Sequence, residues 1–140
     1  MNNAKIAIYL EDFSLLGGAE RVTSNLINLF AENNFNIDTL LSLKQTYVVP
    51  KIKYNNTIKK EVLGGKNVFD KVFETKLYNY IKLHKITVLI LQVQDLSDAY
   101  RIANIVSKTE CKIIPVLHAS PHTYVSWFFP NKFTSIKTYL

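Results

Sequence analysis

Two hydrophobic rhythms alternate along the chain. Lys5-Ile-Ala-Ile-Tyr-Leu10 is a short, nearly continuous apolar run. Its length and β-branched content predict an interior strand with both faces covered. Glu11 to Leu16 breaks the run, and Gly17-Gly18 marks a turn. Ala19, Val22, Leu26, Leu29 and Phe30 then recur at steps of one helical turn, with Phe35 just beyond. They predict an amphipathic helix from about Ala19 to Asn33. Asn33-Asn34 supplies a stop, because asparagine tolerates the left-handed conformation that ends helices.

Ile37 to Leu43 is again apolar and predicts a second strand. Between Lys44 and Lys66 the pattern is irregular, with short strand signals at Ile52–Tyr54 and Ile58–Leu63 and a turn at Gly64-Gly65. A second helix carries Phe69, Val72, Phe73, Leu77, Tyr80, Ile81 and His84 on one face. Ile86 to Val93 is the most apolar run and belongs near the sheet centre. Ser97 suits the cap of a third helix with Ala99, Ile102, Ala103 and Val106 inward. Lys112 to Leu117 predicts another strand, also expected to be central. Phe133, Ile136 and Leu140 stand at helical spacing, so the pattern still runs at the last residue. A helix there should lead to a further strand, and the chain reads as a piece of something longer.

Strands alternating with helices of ten or more residues imply crossover connections and a mainly parallel sheet with helices on both faces. The 140 residues are 48% hydrophobic and 20% charged, which fits one globular domain and excludes a disordered chain. A single cysteine, Cys111, excludes an internal disulfide framework and points to a reducing, cytoplasmic setting. No apolar run approaches the roughly 20 residues of a membrane-spanning helix. The net charge of +6 suits an anionic partner.

In a parallel sheet, ligands gather at the carboxyl ends of the strands, where strand order reverses. The Gly17-Gly18 turn should lie there, letting backbone approach a ligand, with the following helix presenting its anion-favouring N-terminus. A plain tight turn explains two glycines equally well. Glu20 and Arg21, in the first helical turn, are candidate ligand contacts, although Glu20 also simply suits the positive end of the helix. His118 follows a strand and should project toward the same crevice, with Ser120 close behind. His118 and His122 do not make a metal site, because Pro121 separates them and no acidic third ligand is near. No metal and no organic cofactor are expected.

Gly17-Gly18-Ala19-Glu20-Arg21-Val22, followed by Asn25-Leu26 within the helix and preceded by an N-terminal strand, resembles the opening of GT-B glycosyltransferases of family four. Asn34-Phe35-Asn36-Ile37 stands where that family commonly has Gly-His-x-Val, so the match departs there. The resemblance implies a Rossmann-like, doubly wound α/β domain, the N-terminal, acceptor-side half of a retaining enzyme. Such an enzyme moves a sugar from a nucleotide sugar to a glycan or lipid-linked acceptor. The family's C-terminal Rossmann domain, with glutamates separated by seven residues, would be missing. No pair among Glu11, Glu20, Glu32, Glu61, Glu74 and Glu110 has that spacing. By resemblance, Gly17 and Gly18 approach the donor diphosphate, His118 acts on the sugar as the catalytic residue, and cell-surface polysaccharide synthesis at the inner membrane face is the setting.

Lysines crowd residues 44–66 among Tyr47, Val48, Val49 and Tyr54, a pattern that suits either a solvated face or an anionic membrane surface. Trp127-Phe128-Phe129 suits core or an interdomain contact. No nucleic-acid-binding motif accompanies the positive charge, so nucleic acid is not an expected partner. The competing expectation is a noncatalytic ligand-binding α/β module, a receiver-like regulatory domain being its specific form with Glu11, Asp12 and Asp95 as the acids.

Overall fold

The structure, a computed structural model, describes residues 4–55 and 57–118. Five strands form one parallel sheet: β1 (Ile6–Asp12), β2 (Ile37–Lys44), β3 (Lys59–Val62), β4 (Val88–Val93) and β5 (Lys112–Leu117). Their spatial order is β3-β2-β1-β4-β5. Among the described residues there are also three helices: α1 (Gly18–Glu32), α2 (Lys71–His84) and α3 (Leu96–Val106). This is a Rossmann-like α/β fold.

Alternation along the interior strands separates two cores. Ile6, Ile8, Leu10, Leu40 and Ile90 face α1 and pack with Ile27, Phe13 and Tyr54. Ala7, Tyr9, Leu41, Leu89 and Leu91 face the other side and pack with Phe73, Leu77 and Ile81 of α2 and Ile102, Ile105 and Val106 of α3. Burial of such side chains supplies roughly 1.5–3 kcal/mol each, which is why β1 and β4 carry unbroken apolar runs. β1 lies in the middle of the sheet and β4 beside it, as their composition predicts.

Four expectations are corrected. Ile52–Tyr54 is not a strand; Tyr54 is buried from a loop, its hydroxyl donating to the Phe13 carbonyl at 2.9 Å. Asp95, not Ser97, caps α3, its side chain accepting from the Ser97 amide. The buried face of α1 is Ala19, Glu20, Thr23 and Ile27, while Val22 and Leu29 are exposed, and so are Phe69, just before α2, and Val72 in its first turn. Among the described residues β5 is an edge strand rather than a central one. Pro115, which has no N–H to donate, fits an edge and not a centre. Phe133, Ile136, Leu140 and Trp127-Phe128-Phe129 lie outside the described residues.

The turns hold. Asn34 takes a φ of 61° after α1, and Gly64 and Gly65 take 81° and 104° before α2. His84 stacks on Tyr80 with ring centroids 4.1 Å apart, a packing role. No helix among the described residues is long and apolar enough to cross a membrane.

Candidate functional site

β1 continues into α1 on one face of the sheet, and β4 continues into α3 on the other. Diverging crossovers leave a crevice at the carboxyl ends of β1 and β4, the place where parallel sheets take ligands. A crevice of about 240 Å³ is present there, lined by the ends of both strands and the first turns of α1 and α3. A larger groove of about 770 Å³ runs between β3 and α2, with Lys59, Lys76 and Lys82 along it. The smaller crevice is the stronger candidate, because it lies at the strand-order reversal and two of its lining residues, Tyr9 and Gln92, carry unsatisfied buried polar atoms.

Two side chains show this. Tyr9 and Gln92 are 2% and 3% exposed, and both line the crevice. Among the described residues the Tyr9 hydroxyl and the Gln92 amide nitrogen have no hydrogen-bond partner. A buried polar group left unpaired costs roughly 1–3 kcal/mol. Burial, then the negative charges of Asp98 and Glu11, drive the Tyr9 hydroxyl far above its ordinary pKa, so it stays a neutral hydroxyl.

The crevice is acidic although the chain is basic. Glu11 pairs with Lys44 at 3.0 Å. Asp12 is buried and accepts from the Ser14 and Thr46 amides and hydroxyls. Burial would raise its carboxyl, but those four hydrogen bonds prevail and hold it below its ordinary value. Asp95 is committed to the α3 cap. Asp98 and Glu20 line the crevice with no hydrogen-bond or ion-pair partner among the described residues. Burial, with Asp95 and Glu11 nearby, raises the Asp98 carboxyl above its ordinary value.

The residues singled out in the sequence fall around this crevice unevenly. Glu20 lines it, 8% exposed. Gly17 and Gly18 sit at its rim, between the lining residues Leu15 and Ala19. Neither glycine needs a positive φ. A Cβ on Gly17 would lie 2.5 Å from the Glu20 carboxylate, and one on Gly18 would meet nothing within 4 Å. No side chain caps α1 at Gly17, whereas Asp70 and Asp95 cap α2 and α3. Arg21 is exposed and outside the lining. His118 is half-buried at the end of β5; its Nε2 meets the Gln92 side-chain oxygen, and its amide donates to the Val93 carbonyl at 3.1 Å. Ser120 lies outside the described residues. Tyr9, Gln92 and Asp98 were not legible as site residues. Gln92 alone left a trace, a lone polar residue inside Leu89-Ile-Leu-Gln-Val93.

Among the described residues no group of three or more His, Cys, Asp or Glu side chains is arranged to hold a metal ion. The crevice therefore offers carboxylates, an amide and a phenol, a set suited to hydroxyls or to a positive charge rather than to naked phosphate.

The fold is of the kind found in GT-B glycosyltransferases. A solved structure described as lipopolysaccharide outer core galactosyltransferase WaaB, apo form, superposes with a TM-score of 0.59 and 20% identity. The match covers 83% of this chain and 34% of that one, so this chain spans about a third of its length. No protein-family model matches the sequence, and no curated protein matches it.

Proposed function

We propose that this chain is the N-terminal, acceptor-side domain of a retaining glycosyltransferase of family four, moving a sugar from a nucleotide sugar to a glycan or lipid-linked acceptor. The observation that carries it is the crevice at the strand-order reversal of a glycosyltransferase-like fold, lined by carboxylates and by Tyr9 and Gln92 with their unpaired polar atoms. The retaining outcome and the family rest on the Gly17–Leu26 block alone.

In this reading a donor diphosphate meets the outer face of Gly18, where backbone is bare and the α1 amides point outward. The crevice carboxylates keep that charge at the rim and accept from sugar hydroxyls inside. Gln92 fixes His118: an Nε2–H donated to the amide oxygen leaves Nδ1 a lone pair for a sugar hydroxyl. A second Rossmann-like domain closes over the crevice.

Contact with an anionic membrane is supported by the loop after β2. Val48 and Val49 are 93% and 77% exposed, and Lys51 lies over the Tyr47 ring at 4.4 Å. In this reading the domain works at the cytoplasmic membrane face.

The test is release of nucleoside diphosphate from a panel of nucleotide sugars by the whole gene product, with residues 1–140 alone as the comparison. Turnover by the first and none by the second is expected. Robust turnover by residues 1–140 contradicts the half-enzyme reading, and a coding sequence that stops at Leu140 favours the noncatalytic module.

A further inference from the structure

We propose that the groove between α3 and β5 is the docking site of the chain's own residues 119–140, which lay Phe133, Ile136 and Leu140 into it as one helical stripe. The groove measures about 640 Å³. Its floor is Leu91 of β4 with Ile113, Pro115 and Leu117 of β5, and its wall is Ala99 and Ala103 of α3. Leu91 pairs in register with Pro115, and Leu89 with Ile113, so these side chains share the sheet face that carries α2 and α3. Ala99 and Ala103 stand one turn apart, and their small side chains let a second helix come close to α3. Apart from Ser97 and the Tyr100 hydroxyl, the described lining offers no polar side-chain group. It therefore takes apolar side chains, and a charged ligand would be desolvated there without a partner.

Three observations choose the occupant. Leu117 ends β5 on the lining of the groove, so the residues that follow begin at its mouth. A tether this short supplies an effective concentration on the order of millimolar, which no free partner matches without a tight interface. Next, α2 and α3 both carry the chain toward β5 along this face, and a right-handed connection leading outward from β5 passes over the same face. Finally, Phe133, Ile136 and Leu140 recur at steps of three and four, with Thr134, Ser135, Lys137 and Thr138 between them. That is an apolar stripe with a polar back, the pattern of a helix laid on an apolar surface.

The docking is independent of sugar transfer, so failure of the enzyme reading leaves it standing. The test is methyl NMR of the 140-residue chain. Nuclear Overhauser contacts are expected from the Ile136 methyls and the Phe133 ring to the methyls of Ala99, Ala103 and Ile113. A mixed sample of labelled and unlabelled chains should show that these contacts lie within one chain. Phe133→Ser combined with Ile136→Ser should shift the groove methyls and lower the melting temperature by roughly 5 °C or more. Ala103→Glu should displace the segment in the same way. Added to the double variant it should cost little further, because the contact it breaks is already gone. Amide spectra confirm that each variant keeps its sheet. Contacts found between chains in the mixed sample would overturn the proposal in favour of a second copy. So would groove methyls that ignore the Phe133 and Ile136 substitutions, full additivity of Ala103→Glu with them, or a segment whose contacts fall elsewhere on the domain.

Discussion

Asp12, at the end of β1, accepts hydrogen bonds from both the backbone amide and the hydroxyl of Thr46, at 2.9 and 2.5 Å, across the gap to the loop that follows β2. Its other oxygen takes the Ser14 amide and hydroxyl, and the Ser14 hydroxyl in turn accepts from the Tyr47 amide. One buried carboxylate therefore ties together the two loops beside the crevice. It is spent on this tie, so it is a poor candidate for the metal-holding acid of a receiver domain.

Removing it should be costly. Asp12→Ala strips partners from four donors and should destabilise the fold by about 1–3 kcal/mol, and Thr46→Val by less. Urea unfolding measures both. The Asp12 carboxyl sits below its ordinary pKa, so its contribution is complete above the usual carboxylate range and is lost as pH falls through the lowered value. The difference between wild type and Asp12→Asn should therefore shrink on acidification.

Glu74 offers a second, separable titration. On α2 it meets Arg101 of α3 at 2.8 Å, Lys108 at 2.9 Å and Lys71 at 3.3 Å. Hydrogen bonds from Lys108, then Arg101 and Lys71, hold its carboxyl at about 2 instead of 4.5. The folded-state value is the lower one, so the stabilisation is present above about 4.5 and drains away as pH falls toward about 2. Glu74→Gln should unfold at a lower temperature than wild type at neutral pH and converge with it in acid. Salt should narrow the gap at neutral pH, because Lys71 and Lys108 are mostly exposed.

Gly18 and Gly65 should respond in opposite ways to an added side chain. A Cβ at Gly18 meets open space with no positive φ to strain it. Gly18→Val should keep its stability within about 1 kcal/mol of wild type, while nucleotide-sugar affinity of the whole enzyme falls roughly ten- to a hundredfold. Gly65→Ala combines a φ of 104° with a contact 3.2 Å from Phe73 and should lose stability instead. Melting temperature and donor affinity, read on the same proteins, separate the two.

The sheet was legible because strands covered on both faces must be apolar throughout. Lys5–Leu10 and Ile86–Val93 announce themselves in that way. The inward face of α1 was not, because Glu20, which lines the crevice, and Thr23 are buried while Val22 and Leu29 stay in water. Ile52–Tyr54 mimicked a strand because Tyr54 is buried without being in the sheet. The α3 cap was expected at Ser97 but falls two residues earlier on Asp95, whose side chain accepts from the Ser97 amide. The site itself was half legible. Glu20 sat beside a recognisable glycine pair, but Tyr9, Gln92 and Asp98 line one crevice only because β1 and β4 lie side by side, a pairing across most of the described chain that no local pattern encodes.

The account turns on one claim, that sugar chemistry is placed at the β1/β4 carboxyl edge. Amide chemical-shift mapping of the isotopically labelled chain, titrated with a panel of nucleotide sugars, tests it most directly. The account predicts that the largest changes fall in Leu15–Glu20, Gln92–Asp98 and His118, with Lys59 and Lys76 to Lys82 in the β3/α2 groove unmoved. Changes centred on that groove, with the β1/β4 edge silent, would contradict it.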